Sequence, residues 1–329
     1  MTPSSFSDVA NALAKYDRVV LSSHARPDGD SIGSQLALSH ALQHLGKTVR
    51  IINHDPPPPY LHSLPGVSAI EISDTVEHGY DAAIILECGM LSRTEVNGLD
   101  RNVIINVDHH LGNGMYGHYN WHDDTAAACA EQVHDLINEL GISLTSEIAI
   151  NLYVGILTDT GSFRHANITP RTFNICRRIA ATGIDVAEVS ATVYQNSSVG
   201  KVKLTGALLD QMQLCYDNRI AILRINESLI QKTGCPPNDM EGLINMPLSA
   251  KSVQAVIMIR TEAIDTRVSM RSKNNVDVRE IAVSYGGGGH RNAAGFSTQI
   301  PQSELESKLI TQIQKALDAQ AGLGSRSIV

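Results

Sequence analysis

The stretch from Asp17 to Ser31 reads DRVVLSSHARPDGDS, and it shows the pattern on which much of the chain is built. It starts with a β-branched apolar run, Asp17 to Ser23, and continues into a polar segment, His24 to Ser31. Ile32 to Leu45 then has apolar side chains at helical spacing, so this order predicts a strand, a loop and a helix. In open parallel sheets, ligands bind beyond the carboxyl ends of the strands. The polar segment therefore lies where a binding site is expected.

The same alternation continues along the first half of the chain. Further apolar runs of strand length are Thr48 to Ile52, Asp81 to Leu86 and Asn102 to Val107. The segments with helical spacing are Thr125 to Leu140, Ser146 to Leu157, Pro170 to Thr182 and Ile184 to Tyr194. Strands that alternate with helices predict an α/β fold, in which a mostly parallel sheet is flanked by helices.

The pattern changes beyond Leu214, where a second, smaller mixed-sheet α/β domain is predicted. Its strand-like runs are Arg219 to Ile225, Val253 to Arg260 and Thr266 to Ser272. Val276 to Ser284 is predicted as a helix or the start of one, which Gly286 to Gly289 would end. We therefore expect a first domain at 1–190, a connecting helix or linker at 191–214, a second domain at 215–321 and a disordered tail at 322–329.

Composition and net charge indicate a globular protein and argue against one class of partner, long duplex nucleic acid. The chain has 329 residues, of which 43% are hydrophobic and 18% are charged, as is usual for globular domains. Its formal charge of −8 argues against wrapping a long duplex, because duplex affinity comes largely from Lys and Arg that neutralise phosphates. A small anionic substrate would need a local source of positive charge, which a bound metal ion can provide.

Targeting to a membrane or out of the cell is not expected. No run approaches the ~18 consecutive apolar residues of a membrane helix, and Met1 to Ala10 lacks a basic region followed by an apolar one. The five cysteines are odd in number and form no CxxC pair, which favours a reduced compartment. We expect a cytoplasmic protein with no membrane partner.

The polar segment after the first predicted strand offers metal ligands at His24, Asp28 and Asp30. Imidazole with carboxylates suits a borderline divalent ion such as Mn²⁺, and the absence of cysteine from this segment argues against a structural zinc site. Considered alone, the segment is equally consistent with an acidic loop that caps the next helix, with Asp30 as the N-cap.

Three other element ends carry similar side chains. Asp108-His109-His110 ends an apolar run, and adjacent histidines can divide the roles of metal ligand and acid. Asp159 ends an apolar helical segment, and Glu87 follows the strand that begins near Asp81. Two of them have a simpler explanation on their own: a solvated turn for the histidine pair and a helix C-cap for Asp159. Together, four such ends predict one site.

The second domain contributes a candidate anion site. Arg271-Ser272-Lys273 ends a predicted strand, and Gly286-Gly287-Gly288-Gly289-His290 lies further along. Arginine can grip a phosphate with two parallel hydrogen bonds, and consecutive glycines let backbone N–H groups approach an anion. A flexible linker is the alternative for the glycines.

These motifs resemble those of the DHH phosphoesterase superfamily. The matching residues are His24-x3-Asp28-x-Asp30, Asp108-His109-His110 and Thr158-Asp159-Thr160-Gly161, and the C-terminal motifs look like the DHH-associated domain. The resemblance extends from about Asp17 to Gln299. At this length and with two domains, the chain resembles the oligoribonuclease/pAp phosphatase branch, also called nano-RNase.

The resemblance implies a centre with two Mn²⁺ ions at the edge of the first, catalytic domain. His24 and Asp28 would bind one ion, and Asp30, His109 and Asp159 the other. The family usually has an Asp bridging the two ions, and this chain has Glu87 in its place. His110 would protonate the leaving oxygen or hold the scissile phosphate, and Asp108 would orient the histidines. The second, substrate-binding domain would hold another phosphate or the base through Arg271, Ser272, Gly287, Gly288, Gly289 and His290.

The resemblance also implies the activity. We expect hydrolysis of short oligonucleotides, such as dinucleotides and nanoRNA, to mononucleotides, by a hydroxide that two metal ions activate. Removal of the 3′-phosphate of adenosine 3′,5′-bisphosphate is a second expected activity. The expected partners are short single strands and nucleotide bisphosphates rather than long duplexes, and a homodimer is compatible. The alternatives are a nucleotide-binding or sensing module whose metal centre has decayed, and a phosphoesterase for cyclic dinucleotides or polyphosphate.

Overall fold

The computed structural model describes residues 3–237, 239–240, 242–261, 265–273 and 276–324, without the side chains of His290 and 320–324. Two compact units divide between Asn196 and Ser197. The elements of the first unit are α1 (Phe6–Lys15), β1 (Arg18–Ser22), α2 (Gly29–His44), β2 (Thr48–Asn53), β3 (Ile70–Ile72), β4 (Ala82–Leu86), β5 (Val103–Asp108), β6 (Tyr119–His122), α3 (Cys129–Glu139), α4 (Ser146–Asp159), α5 (Pro170–Ala180) and α6 (Val186–Tyr194).

The first unit is built on a six-stranded sheet in the order β3-β2-β1-β4-β5-β6. Every neighbouring pair in it is parallel, which confirms the predicted α/β fold with a mostly parallel sheet. All five residues of β4 are buried, as expected for a central strand with both faces covered. The strand order reverses between β1 and β4, and ligands of open α/β sheets bind at this kind of switch point.

Two glycines allow α2, α3 and α4 to pack closely beside the sheet. A Cβ atom on Gly33 of α2 would lie 2.4 Å from the backbone oxygen of Asn151 in α4. A Cβ atom on Gly155 of α4 would lie 2.7 Å from Cβ of Ala130 and 2.8 Å from Oδ1 of Asp30. These distances are shorter than atomic contact permits, so only glycine fits. The packing brings the first turn of α2 close to the last turn of α4.

Several details of the first unit differ from the sequence predictions. The N-cap of α2 is Asp28 rather than Asp30, because the Asp28 side chain accepts a hydrogen bond from the backbone of Ser31. Helix α1 and the short strands β3 and β6 were not predicted. Strands of three and four residues are too short to show a periodic pattern.

The second unit contains a mixed sheet, which confirms the predicted second α/β fold. Its elements are α7 (Val199–Asp210), β7 (Gln213–Cys215), β8 (Ile220–Ile225), α8 (Glu227–Thr233), β9 (Ala255–Thr261), β10 (Thr266–Ser272), α9 (Arg279–Ser284), β11 (Gly288–His290), β12 (Ala293–Thr298) and α10 (Gln302–Gly324). The strand order is β11-β12-β10-β9-β8-β7. β8 and β9 are parallel and the other pairs antiparallel. One face of the sheet packs against α9 and α10.

Two predictions for this half of the chain need correction, and the alternative of a flexible linker is excluded. Residues 191–214 are not one connecting helix, because α6 ends at Tyr194 and α7 begins a new helix capped by Ser198. The glycine run is no linker, since Gly288 and Gly289 pair with β12 as an edge strand. α10 continues to Gly324, so 322–324 are helical, and the rest of the predicted tail, 325–329, lies outside the described residues.

Within the described ranges, no helix is both long enough and apolar enough to cross a bilayer.

Candidate metal centre

The side chains of the predicted centre follow three adjacent strands and end one helix. His24 lies two residues beyond β1, Glu87 directly follows β4, and His109 and His110 directly follow β5. Asp159 is the last residue of α4. Since β1, β4 and β5 are neighbours and parallel, their carboxyl ends share one edge of the sheet.

The structure brings the predicted side chains into three groups, in each of which the candidate ligand atoms lie within 4.8 Å of one another. The groups are His24 with Asp28 and Glu87, Asp30 with His109 and Asp159, and Glu87 with His109 and His110. Glu87 belongs to two groups that share no other member. Asp81, the acidic residue at the other end of β4, is not in these groups. It accepts hydrogen bonds from the backbone N–H groups of Asp17 and Arg18 at the opposite end of the strands.

In His24 and His109, Nδ1 is hydrogen-bonded to the backbone, which leaves Nε2 as the nitrogen that could bind a metal ion. Nδ1 of His24 lies 2.9 Å from the carbonyl oxygen of Ala25, and its Nε2 lies 3.8 Å from Oδ2 of Asp28. Nδ1 of His109 lies 3.0 Å from the carbonyl oxygen of Ala126. A carbonyl oxygen only accepts, so Nδ1 carries the proton in both rings, and Nε2 offers its lone pair when the ring is neutral.

Nε2 of His109 faces several carboxylates. It lies 3.3 Å from Oε2 of Glu87 and 3.6 Å from Oδ2 of Asp159. Its distance to Oδ2 of Asp30 is 3.9 Å. Burial opposes a charged imidazole, but these carboxylates outweigh burial and raise the pKa of His109 to about 11.

Asp30 is buried and is held by the first turn of α3. Its Oδ2 and Oδ1 accept hydrogen bonds of 2.6 Å and 2.9 Å from the backbone N–H groups of Cys129 and Ala130. The N-terminus of a helix favours negative charge, so these bonds stabilise the carboxylate. Burial nevertheless raises the pKa of Asp30 above its usual value.

Glu87 occupies a strained and buried position. Its backbone φ of +54° is in the left-handed region, which turns the chain sharply at the end of β4. Its side chain is 2% exposed, and Oε2 accepts no hydrogen bond among the described residues. Burial, followed by the charge of Asp30, raises the pKa of Glu87 to about 8. Burial and the same charge raise the pKa of Asp159 to about 7.

This set of donors fits divalent metal ions. Imidazole nitrogens and carboxylate oxygens are ligands for a borderline divalent cation, and a buried carboxylate oxygen without a hydrogen bond is available for coordination. A cation here would remove the repulsion that raises the carboxylate pKa values. The buried thiols of Cys88 and Cys129 belong to none of the three groups, and burial raises the pKa of both.

His110, which belongs to the third group, forms a hydrogen-bonded pair with Asp108. Nδ1 of His110 donates to Oδ1 of Asp108 at 2.8 Å, and its Nε2 lies 3.4 Å from Oε1 of Glu87. Burial opposes charge on His110, but Asp108 and Glu87 raise its pKa to about 9. Burial also disfavours the charge of Asp108, yet hydrogen bonds from His110 and Asn113 hold its pKa below the usual range.

Asn113 contacts Asp108 directly and was not predicted from the sequence. Its Nδ2 donates to Oδ2 of Asp108 at 2.6 Å, and its Oδ1 accepts from Nδ2 of Asn106. Its position three residues after His110 is the one feature of the sequence that could have indicated this role. Polar residues are common in loops, however, and no pattern distinguishes Asn113 from the others.

The predicted anion-binding residues of the second unit have different surroundings. Arg271 lines a cavity of about 290 Å³. Ser272 is buried, and its hydroxyl donates to the carbonyl oxygen of Val276 at 2.6 Å. The N–H group of Gly287 donates to the carbonyl oxygen of Ala282, while Gly288 and Gly289 pair with β12. Ser272 and the glycines are thus engaged within the unit, and the side chain of His290 lies outside the described part of the chain.

Comparisons with known proteins identify two domains. Residues 18–156 match the family model described as DHH family, N-terminal domain, and residues 217–320 match the DHHA1 domain. The second match includes Arg271 and the glycine-rich segment.

Two curated relatives cover most of the chain. A Thermus thermophilus protein named bifunctional oligoribonuclease and PAP phosphatase NrnA is 34% identical over 278 residues, which are 84% of this chain and 83% of that protein. A Bacillus subtilis protein of the same name is 26% identical over 298 residues, 88% of this chain and 92% of the relative.

Solved structures have the same fold. A crystal structure of an exopolyphosphatase-related protein from Bacteroides fragilis has a TM-score of 0.88 and 26% identity, and the match covers 94% of this chain and 95% of that one. A structure of the exonuclease RecJ bound to manganese has a TM-score of 0.52 and 15% identity, with 98% and 95% covered. With the matched domains and the 34% identical relative, these similarities confirm the predicted resemblance: the chain belongs to the DHH family.

Proposed function

We propose that this chain is a metal-dependent phosphoesterase that hydrolyses short oligonucleotides, such as dinucleotides, to mononucleotides. The observation that carries the proposal is the convergence of histidines and carboxylates from four separate segments of the first unit into three overlapping groups. The relatives named bifunctional oligoribonuclease and PAP phosphatase support the substrate class. The words "PAP phosphatase" in the names of these relatives support a further activity, removal of the 3′-phosphate of adenosine 3′,5′-bisphosphate.

The proposed centre holds two Mn²⁺ ions. His24 and Asp28 would bind one ion, Asp30, His109 and Asp159 would bind the other, and Glu87 would serve both. Glu87 is grouped with His24 and Asp28, and in a further group with His109, a ligand of the second proposed ion, which supports the shared role. When bound, such ions polarise phosphoryl oxygens and make a water acidic enough to attack phosphorus at neutral pH.

His110 would transfer a proton or hold the phosphate, and Asp108 would orient the ring of His110. His110 presents Nε2 on the side of Glu87, and its raised pKa of about 9 keeps that nitrogen protonated near neutral pH. We assign it the transfer of this proton to the leaving oxygen, or the holding of the scissile phosphate. Asp108 accepts the Nδ1 proton of His110, which fixes the ring orientation, so it is a positioning residue.

The two units have separate roles in this proposal. The first unit contains the proposed catalytic domain, at 1–190, and the second contains the proposed substrate-binding domain, at 215–321, which uses residues that include Arg271. The net charge of −8 opposes nonspecific binding of a long duplex, which favours substrates of a few nucleotides.

Turnover of a 5′-phosphorylated dinucleotide tests the proposal. We expect the purified chain to release mononucleotides with Mn²⁺ and to stop when the metal is chelated. Asp28→Ala should be inactive because it removes a proposed ligand. Asp100→Ala provides a matched control, since Asp100 is an exposed carboxylate of the same unit that belongs to none of the three groups. Equal inactivity of the unaltered chain and Asp28→Ala would contradict the proposal.

Polyphosphate is the second candidate substrate. The exopolyphosphatase-related name of the Bacteroides fragilis relative favours it. The same metal centre would serve either substrate, because both reactions cleave a phosphorus–oxygen bond. A panel of dinucleotide, adenosine 3′,5′-bisphosphate and polyphosphate separates the two, and faster turnover of the base-free substrate would favour the second candidate.

A further inference from the structure

Phe173 of α5 exposes an aromatic ring to solvent. Its exposed fraction is 58%, whereas the other aromatic side chains in the described part of the chain, apart from Tyr194, are buried or half-buried. The ring stacks on that of half-buried Phe163, with 5.8 Å between the centroids and 19° between the planes. Phe163 in turn packs against the core of the first unit. Because Phe163 supports one face of the Phe173 ring, the exposed area of Phe173 lies on its other face and its edge.

The segment that carries Phe163 is attached to Asp159, a proposed metal ligand. Nδ1 of His165 lies 3.1 Å from the carbonyl oxygen of Asp159, and Nδ2 of Asn167 lies 3.4 Å from the same oxygen. The chain folds back here because residues 161–163 all have positive φ, from +55° to +59°. This left-handed backbone is unfavourable for a bulky residue such as Phe163, and strain of this kind is common at functional sites. The stacked pair therefore lies beside the proposed metal centre.

Arg164 adds positive charge next to Phe163. Its side chain is exposed, its Nε donates to the carbonyl oxygen of Gly161 at 2.6 Å, and it forms no ion pair with the described residues. Proteins bind single-stranded nucleic acid by combining cations, which contact the phosphates, with aromatic rings, on which the bases stack. A base-free phosphate chain would use the charge and leave the ring exposed. This surface therefore favours a ligand that carries bases.

We propose that Phe173, supported by Phe163, stacks with a base of the oligonucleotide substrate. The inference rests on the proposed function and deepens it, because it names a residue of the first unit that selects nucleotides over polyphosphate. Stacking tolerates any base, since every base has an aromatic face, so this contact gives a preference for nucleic acid rather than for one sequence.

A double-mutant cycle between protein and ligand tests the inference without turnover. The full chain is titrated in EDTA into fluorescently labelled triadenylate and into the abasic form of the same trinucleotide, and fluorescence anisotropy gives both dissociation constants. The unaltered chain should prefer triadenylate by about tenfold or more, the usual effect of stacking a base on an aromatic side chain. Phe173→Leu should reduce this preference to about twofold, because leucine is apolar but has no aromatic face. Phe173→Tyr keeps the ring and should retain the preference.

Leu45→Ala is the control for the loss of an exposed apolar side chain. Leu45 is 44% exposed and caps the C-terminus of α2, at the opposite end of that helix from Asp30. It should leave the preference for bases unchanged. Thermal unfolding should show every variant melting within a few degrees of the unaltered chain, since both altered side chains are exposed. Sedimentation velocity reports the oligomeric state of each variant.

Five outcomes would overturn the inference. They are failure of the unaltered chain to bind triadenylate, an unchanged preference for bases in Phe173→Leu, an equal loss in Phe173→Tyr, an equal loss in Leu45→Ala, and dissociation of an oligomer by Phe173→Leu with the preference unchanged. The last would mean that this face joins two copies of the chain.

Hydrolysis need not occur in this assay, so the two proposals can fail separately. Base-dependent binding that needs the ring of Phe173, in a chain that hydrolyses nothing, would contradict only the proposed activity. Hydrolysis of dinucleotides by a chain whose preference for bases is the same in Phe173→Leu would contradict only this inference.

Discussion

Asn113 and Asp108 are joined by a hydrogen bond of 2.6 Å between Nδ2 and Oδ2. The direction of this bond is fixed, because Oδ1 of Asn113 accepts from Nδ2 of Asn106 at 2.9 Å. Asn106 cannot be reversed either, since its Nδ2 also donates to Oδ1 of Asn120. Three amides thus orient one carboxylate, and the carboxylate orients His110.

We predict that Asn113→Ala lowers kcat by about 10- to 100-fold, the usual effect of removing a residue that supports the reacting groups. Metal affinity should change little, because His109 is held separately by the carbonyl oxygen of Ala126. Steady-state kinetics on a dinucleotide and metal titration by calorimetry measure the two effects.

Asn102→Ala is the control for this prediction. Asn102 directly precedes β5, and among the described residues its Nδ2 bonds only to the carbonyl oxygens of Gly98 and Leu99. An equal loss of kcat in both variants would mean that Asn113 matters for general stability rather than for His110.

Glu87→Asp tests whether this site needs the longer side chain of glutamate at a position where the family usually has aspartate. The backbone at Glu87 has a positive φ, and the longer side chain reaches His109 and His110 from that turn. Removing one methylene should withdraw the carboxylate from both histidines and lower kcat/KM by about tenfold or more. A large gain in activity from a nearly inactive chain would instead support a decayed metal centre.

Metal affinity should rise with pH between about 6 and 8.5. At neutral pH the raised pKa values of Glu87, about 8, and Asp159, about 7, keep part of these carboxylates protonated, and His109, at about 11, is charged. All three must lose their protons before they can coordinate, so metal binding releases protons, and acid opposes it. Calorimetry in buffers of different ionisation enthalpy counts the protons, and a dissociation constant that is flat over this range would contradict the prediction.

Gly155→Ala should both destabilise the first unit and weaken metal binding. Its Cβ atom would lie 2.7 Å from Cβ of Ala130 and 2.8 Å from Oδ1 of Asp30, so α4 would have to move. Overpacking of this kind typically costs about 1–3 kcal/mol. Denaturation in urea gives the free energy of unfolding.

Gly206→Ala is a matched control in α7. A Cβ atom there meets nothing within 4 Å. Alanine in an exposed helix interior should stabilise the protein by about 0.5–1 kcal/mol. Destabilisation of similar size in both variants would show that helix glycines in general, rather than the contact at Asp30, are responsible.

The site residues that lie at the ends of strands and helices could be predicted from the sequence. His24, Glu87 and His109 could be placed together, because apolar runs identify the strands and parallel strands end at one edge. Asn113 could not be found in this way, because it lies in a loop without a periodic pattern. The edge strand β11 was missed because glycines give no apolar signal for a strand.

The strand order also bears on how the chain folds. Val19 of β1 pairs with Ala82 of β4, and Ala82 pairs with Val103 of β5, so the sheet forms only when distant segments meet. Contacts of high sequence separation slow folding, because the entropy of closing the intervening loops is lost before those contacts form. The proposed ligand set also includes Asp159, at the end of α4. During synthesis, binding of metal by the full proposed set would therefore wait until β1, β4, β5 and α4 have been made and have come together.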